Sequence, residues 1–370
     1  MPAYSQPAPL PASDALLFAA SATDRRGVLE RMPKWLICVP LVCQWLWLAL
    51  RYHSATLPSA ANAAINGGGL IGEGKLEYFQ GMGPRARAAT ARHTAAVAGA
   101  GLTDRQMARL LTADGLGFPL IAKPDIGLCG YGVRRVDDMA ALQHYLGAFP
   151  RGETVVLQEY LPQAGEAGIF YVRDPATDRG RITGLALRYF PRVVGDGHRS
   201  VDQLVAADPR TRRLAHSPRH QGPAHDTRVP AAAEVVRLAT IGSTRVGGLY
   251  RDGARHISAE LTAAIDTIAR DMPDFHFGRF DVRFDSLQDL ALGRGFRIME
   301  VNGAGSEAIQ AWDPDVPLWR GLGMVFAKQR LLFAVGAARR RAGVRPIGLR
   351  GLARLYRHQQ RLIPLYPPSN

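Results

Sequence analysis

Two stretches with a strand-like period of two, residues 278–284 and 296–302, constrain the fold more than any other feature of the chain. In GRFDVRF, charged and apolar residues alternate, which indicates a strand with one buried face. In FRIMEVN, Glu300 and Asn302 follow two apolar residues on the same face. The residues between are loop-like, so we expect an antiparallel pair. If the polar faces align, Asp281 in the first strand meets Glu300 and Asn302.

These three side chains offer two carboxylates and one amide oxygen, and residues 278–307 contain no thiol or imidazole. Mg²⁺ prefers such hard oxygen ligands and is usually held by one or two carboxylates, water and nucleotide phosphates. Asp281, Glu300 and Asn302 are therefore predicted magnesium ligands, with Mn²⁺ as the alternative ion. The other interpretation is a hairpin with ordinary solvent-facing side chains.

Length and charge bound the class of protein. A chain of 370 residues has room for two or three subdomains. Its 46 Lys and Arg against 32 Asp and Glu, a formal charge of +14, favour an anionic partner such as nucleotide phosphate, a lipid headgroup or, as the minor case, nucleic acid. The 3 cysteines form neither a disulfide framework nor a zinc spacing, which indicates a reducing compartment and a cytoplasmic protein.

The N-terminal part is predicted as a separate segment, residues 1–65. Residues 1–24 are rich in Ala, Pro and Ser, as in a loosely structured leader. Residues 35–50 are apolar except for Gln44, are interrupted by Pro40 and have basic neighbours. A bilayer span needs about 17–25 residues. Three interpretations remain open: an anchor at the membrane interface, a true span, and a helix buried in the protein.

A lysine next to a glycine-rich hairpin is the clearest phosphate-binding pattern. Residues 118–122 are an apolar strand, Lys123 ends it, and a second strand resumes at residues 133–136. Between them lie Gly127, Gly130 and Gly132. A lysine ammonium beside loop amides suits an anion, although a plain glycine-rich hairpin is the alternative.

Two further segments flank this hairpin. The glycine-dense run at residues 66–75 ends on Lys75 before a predicted helix, without the spacing of a P-loop. The strand at residues 154–162 runs into Glu159, Tyr160 and Leu161, with Glu166 shortly after. A strand end of this kind can offer backbone groups to an adenine edge and a carboxylate to ribose, or it can be a simple strand end.

The order of these elements resembles the ATP-grasp superfamily over roughly residues 70–330. The interval from Lys75 to Lys123 is similar to the separation of the two ATP-binding lysines in D-alanine:D-alanine ligase-like enzymes. Residues 186–213 and 229–248 look like the cyanophycin synthetase and bifunctional glutathione synthetase branch. The resemblance implies an α+β, ATP-grasp fold, in which two antiparallel-sheet subdomains grip the nucleotide. The chain departs from the family before Lys75, where such ligases carry a full α/β domain.

The resemblance also implies an activity and a role for each motif. A carboxylate is phosphorylated by magnesium-ATP, and an amine attacks the acyl phosphate to leave an amide, ADP and phosphate. Lys75 and Lys123 would hold phosphates under a flexible cover formed by the three hairpin glycines. The remaining implied positions are Glu159, Tyr160 and Leu161 at adenine, Glu166 at ribose, and Asp281, Glu300 and Asn302 at magnesium.

Arginines are the predicted catalytic cations. Arg188 would reach the terminal phosphate, with Arg199 as second choice, while Arg279 and Arg283, joined by Arg237, could fix a carboxylate by a bidentate fork. The other interpretation is solvated arginines in an arginine-rich chain.

The predicted domain scheme follows from these motifs. It has an ATP-grasp domain at residues 66–330, divided into subdomains at 118–166 and 180–310, and a basic helical tail at 331–370. Residues 208–230 are a candidate lid. The tail is either a packed helix with a solvated arginine face or a surface for anionic lipid. Two rival functions stay open: phosphoryl transfer to a non-carboxylate acceptor, and a non-enzymatic adaptor with a degenerate nucleotide fold.

Overall fold

The computed structural model describes residues 26–212, 214 and 226–369. The predicted leader at residues 1–24, most of the candidate lid and His225 lie outside the described residues. The strands are β1 (His93–Val97), β2 (Leu120–Pro124), β3 (Arg134–Val136), β4 (Thr154–Glu159), β5 (Gly165–Asp174), β6 (Arg179–Tyr189), β7 (Arg192–Val194), β8 (Val235–Arg237), β9 (Leu249–Asp252), β10 (Phe277–Phe284) and β11 (Phe296–Asn302).

The helices lie between and around these strands. They are α1 (Val28–Arg31), α2 (Lys34–Arg51), α3 (Lys75–Gln80), α4 (Pro84–Ala89), α5 (Asp104–Ala113), α6 (Met139–Ala148), α7 (Val201–Ala207), α8 (Ala259–Arg270), α9 (Leu287–Ala291), α10 (Leu318–Arg341) and α11 (Leu349–Leu362).

The first sheet has the strand order β1-β4-β2-β3, with every neighbouring pair antiparallel. The predicted hairpin around the glycine loop is its β2–β3 pair. Helices α5 and α6 pack on this sheet through Met107, Leu111, Leu142 and Tyr145, which are buried in one apolar cluster. Their N-caps, Thr103 and Asp138, accept hydrogen bonds from the first turn of each helix.

The second sheet has the order β11-β10-β5-β6-β9 and is also antiparallel throughout. Its apolar face, with Ile169, Leu185 and Phe280, packs against Leu261 and Ile265 of α8 in the largest core of the protein. A small two-stranded sheet, β7-β8, packs with α7 in its own cluster. The predicted mixture of helices and antiparallel sheets, and the β10–β11 pair itself, are confirmed.

Helix α2 contains the apolar stretch at residues 35–50, and one of its faces is packed. Ile37 and Leu48 are buried, the latter together with Phe333 of α10, and Gln44 donates to the Phe326 carbonyl. Among the described residues, no helix combines the length and apolar character that crossing a bilayer requires. The interpretation as a helix buried in the protein holds for one face alone, because the opposite face is exposed.

The chain after residue 331 packs on the body of the protein. Leu332 of α10 is fully buried beside Phe277 and Ala304. Within α11, Gln359 donates to the Gly127 carbonyl at 3.0 Å. Beyond α11, the Tyr366 hydroxyl donates to the Ile126 carbonyl at 2.6 Å. The C-terminal segment therefore contacts the glycine loop between β2 and β3.

Candidate active site

The register of β10 and β11 aligns their polar faces. Asp281 is directly opposite Glu300, and Arg279 is opposite Asn302. Residues opposite each other in an antiparallel pair share a face, and so do residues two apart on a strand. The structure therefore brings Asp281, Glu300 and Asn302 to one face. The predicted alternation along residues 296–302 is wrong for Ile298, because a β-bulge shifts the register and Ile298 lies opposite Val282 in the apolar core.

Asp281 is fully buried and surrounded by donors. Arg279 donates to its Oδ1 at 2.6 Å, Arg188 to its Oδ2 at 3.1 Å, and the Asn302 side-chain amide to Oδ2 at 3.3 Å. Burial raises the pKa of a carboxyl group, but the charges of Arg279 and Arg188 outweigh it and lower the pKa of Asp281. The carboxylate is thus held ionised in the interior.

Glu300 is the more accessible carboxylate, with 31% of its side chain exposed, and its Oε1 lies 3.5 Å from the Lys75 ammonium. Lys75 also donates to the Asp125 carbonyl at 3.2 Å. A Cβ at Gly127 would lie 2.6 Å from Lys75 Nζ, so the loop backbone comes close to this ammonium group. Lys75, the glycine loop and Glu300 are consequently one contact group.

Lys123 joins the two sheets. It is only 5% exposed, and its ammonium donates to Gln158 Oε1 at 2.7 Å and to the Met299 carbonyl of β11 at 2.9 Å. Burial lowers the pKa of Lys123 to about 8, with the nearby Glu300 charge opposing that shift. An ammonium from the first sheet therefore sits beside the carboxylate strand of the second.

The donor set fits a magnesium ion in its chemistry. In the part of the chain that the structure describes, no three carboxylate, imidazole or thiol groups come together to hold a metal, so an ion here would need Asn302 and nucleotide oxygens as well. Each carboxylate oxygen has two lone pairs, and Asp281 Oδ1 accepts a hydrogen bond from Arg279 Nε with one of them. Glu300, Asn302 and Asp281 Oδ1 would hold the ion.

Glu166, predicted at ribose, is buried between two guanidinium groups. Its Oε1 lies 3.0 Å from Arg188 Nε, and its Oε2 lies 3.3 Å from Arg283 Nε. Arg188 thus spans Glu166 and Asp281. Burial alone would lower the pKa of Arg188, but these two carboxylates outweigh it and raise the pKa.

The predicted adenine residues lie at the end of β4. The Glu159 carboxylate accepts a hydrogen bond from the Arg92 side chain at 3.1 Å. Burial raises the pKa of Glu159, but the hydrogen bonds from Arg92 outweigh it and lower the pKa. The Tyr160 ring lies under the Arg135 guanidinium at 4.7 Å, and Leu161 is buried.

The glycine loop adopts backbone angles that require its glycines. Gly130 and Gly132 have φ of 74° and 73°, in the left-handed region. Arg245 donates to the carbonyls of Cys129 and Gly130 and stacks on the Tyr131 ring at 4.2 Å. The loop is therefore held from outside by Arg245 and by the C-terminal segment, contacts that the sequence did not predict.

Several residues of the site were missed from the sequence. Gln158 binds the Lys123 ammonium, and Asp125 binds Lys75 through its carbonyl and the Leu76 N–H through its carboxylate at 2.9 Å. Both are next to predicted positions, which is a signal that could have identified them.

Comparison with known proteins finds similarity in structure only. No protein-family model matches the chain, and no curated protein matches it in sequence. Three similar solved structures are ligases. They are a bifunctional glutathione synthetase from Pasteurella multocida (14% identity, 66% of this chain and 35% of that chain, TM-score 0.36), D-alanine–D-alanine ligase from Bacillus anthracis (15%, 73% and 68%, 0.41) and VanG D-Ala:D-Ser ligase from Enterococcus faecalis (12%, 66% and 59%, 0.35).

These solved structures are what the chain is similar to in fold. The chain spans about a third of the length of the glutathione synthetase that it matches.

Proposed function

We propose that the protein is an ATP-dependent ligase that joins a carboxylate to an amine through an acyl phosphate and releases ADP and phosphate. One observation carries this proposal. Two lysines, Lys75 and Lys123, meet the Glu300 strand where the two antiparallel sheets touch. Ammonium groups facing a carboxylate that can bind a metal are the parts that a magnesium-nucleotide complex requires.

The two lysines have complementary positions for a polyphosphate. Lys123 is fixed by Gln158 and the Met299 carbonyl, so its charge is pre-positioned. Lys75 contacts the glycine loop, whose amides could close on the same anion. Glu300, Asn302 and Asp281 would hold magnesium, which when bound supplies charge neutralisation at the phosphates.

Arg188 and Arg279 are proposed as the catalytic cations. Both now donate to Asp281. If nucleotide binding draws Asp281 away, their N–H groups become available to the transferring phosphoryl group and to the acyl carboxylate. Arg283 forms an ion pair with Glu166 and would position the Glu166 carboxylate toward ribose. Tyr160, Leu161 and the end of β4 would meet adenine.

The proposed substrates are a small-molecule or peptide-like carboxylate and an amine. We place the reaction in the cytoplasm, where ATP is available and where the three exposed cysteines would remain reduced. A position at a membrane surface is a separate proposal, because it depends on another part of the molecule.

The proposal is tested by measuring ADP release from ATP and magnesium over a panel of acid and amine pairs. Hydroxylamine added in place of the amine should trap the acyl phosphate as a hydroxamate, because hydroxylamine is a strong nucleophile toward acyl phosphates. A chelator should stop ADP release. If every acid that supports turnover gives ADP without any hydroxamate, the activity is that of a phosphotransferase and the ligase proposal is wrong.

A further inference from the structure

The outer face of α2 is apolar although it is exposed. It displays Trp35 (68% exposed), Val39, Val42, Leu46 (55%), Trp47 and Leu50 (75%). The inner face is apolar too, since Ile37 and Leu48 are buried against the body. A surface helix of a water-soluble protein normally carries polar residues on its outer face. This stripe, which we call the α2 stripe, therefore requires a covering partner of apolar character.

The charges around the stripe are of one sign. Arg31 and Arg51 are exposed at its two ends, and Arg330 of α10 lies against Gln44 of α2. Neither α2 nor α10 contains an acidic residue. Glu30, just before α2, is buried against Arg210 at 2.9 Å. The surroundings of the stripe are thus complementary to an anionic surface.

The aromatic residues are placed as in interfacial helices. Trp35 and Trp47 lie near opposite ends of the stripe, and the Arg51 guanidinium lies 5.7 Å from the Trp47 ring centroid. Tryptophan and arginine together favour the headgroup level of a bilayer. Since the inner face of α2 is packed on α10 along the helix, only the outer face, about 22 Å long at 1.5 Å per residue, is available to lipid.

We propose that the α2 stripe docks the protein on an anionic lipid bilayer, with α2 parallel to the membrane plane. The apolar side chains enter the headgroup boundary, and Arg31, Arg51 and Arg330 contact lipid phosphates or carboxylates. A second copy of the chain is the competing occupant, but two stripes flanked by arginines would bring like charges together. An anionic bilayer satisfies both the apolar and the cationic parts of this surface.

The experiment is flotation of the full chain with vesicles of phosphatidylcholine alone or mixed with phosphatidylserine. We expect binding that increases with phosphatidylserine and decreases with salt. Leu46→Glu should weaken the binding by about tenfold or more, since it places a charge in the stripe. Leu292→Glu, an equally simple change at an exposed leucine away from α2, is the matched control and should bind like the wild type.

Two results would overturn the proposal. One is equal vesicle binding by the wild type and Leu46→Glu, with unchanged thermal melting of both. The other is a dimer in sedimentation that Leu46→Glu dissociates, together with no binding of the wild type to phosphatidylserine vesicles, which assigns the stripe to a second copy. Neither result bears on ADP release, so the ligase proposal is tested independently.

Discussion

Asp281 and Glu300 are directly opposite each other on neighbouring antiparallel strands, yet their environments differ sharply. Asp281 is enclosed by Arg279 and Arg188, whereas Glu300 is partly exposed and lies 3.5 Å from the Lys75 ammonium. One carboxylate is neutralised by the protein's own arginines, and the other is partly exposed. The cross-strand pair therefore combines an enclosed carboxylate with an accessible one.

Glu300→Gln should decrease ADP formation by about 100-fold or more, because it removes the accessible charged ligand for magnesium. Its melting temperature should stay near that of the wild type, since the side chain is partly exposed. Steady-state ADP release checks the first point and thermal melting the second. The control is Glu260→Gln, an exposed carboxylate on α8. Retained turnover in Glu300→Gln would count against the assignment.

The pKa of Lys123, about 8, predicts a pH dependence of nucleotide binding. The protonated ammonium binds phosphate, so the affinity for ATP should fall as pH rises through about 8, by at most about tenfold per pH unit. The unfolded chain holds this proton to higher pH, so the free energy of unfolding of the free protein should instead increase over the same range.

Lys123→Arg stays charged at every pH used and is the matched variant for that prediction. Its affinity for ATP should be measured by calorimetry at pH 7.5 and pH 9, which bracket the pKa of about 8. Apart from the effect of the protonation of ATP itself, the affinity should be the same at both pH values. An equally steep loss of affinity in wild type and Lys123→Arg would show that another group titrates.

Arg188→Met should decrease the free energy of unfolding by about 3 kcal/mol, because it leaves Glu166 and Asp281 with less compensation in the interior. Urea denaturation measures this change. The control is Arg199→Met, which removes an exposed arginine paired with Asp196 and should change stability little. Equal stability of the two variants would show that the buried ion pairs of Arg188 do not stabilise the fold. ADP release by the same two variants compares Arg188 and Arg199, the two arginines predicted at the terminal phosphate.

Asn62→Ala should also destabilise the protein by about 3 kcal/mol. The buried Asn62 amide donates to the carbonyls of Gly68 and Phe277 and accepts from the N–H groups of His276 and Phe277, at 2.9–3.0 Å. Alanine leaves these backbone groups unpaired in the interior. Thermal or urea unfolding tests this, with the exposed Asn66→Ala as control. An Asn62→Ala protein as stable as Asn66→Ala would disprove this contribution.

Local patterns accounted for the elements of the site. The period of two at residues 278–284 and the glycine hairpin after Lys123 predict pairings that the structure contains, because side-chain alternation and turn residues act over a few neighbours. The same patterns could not assign partners to the arginines. Arg188, expected at a phosphate, and Arg283, expected at a carboxylate substrate, pair with Glu166, which no local rule indicates.

The sequence by itself determined that Arg279 and Asp281 share the polar face of β10, since side chains alternate between the two faces of a strand. The bulge that brings Glu300 opposite Asp281 and Ile298 opposite Val282 was decided by the tertiary structure. Only the tertiary structure decided that Lys123 reaches the Met299 carbonyl, that the C-terminal segment holds the glycine loop, and that α2 is packed on one side and bare on the other. These contacts join residues far apart in the chain, and they depend on how whole layers pack rather than on the preference of any short segment.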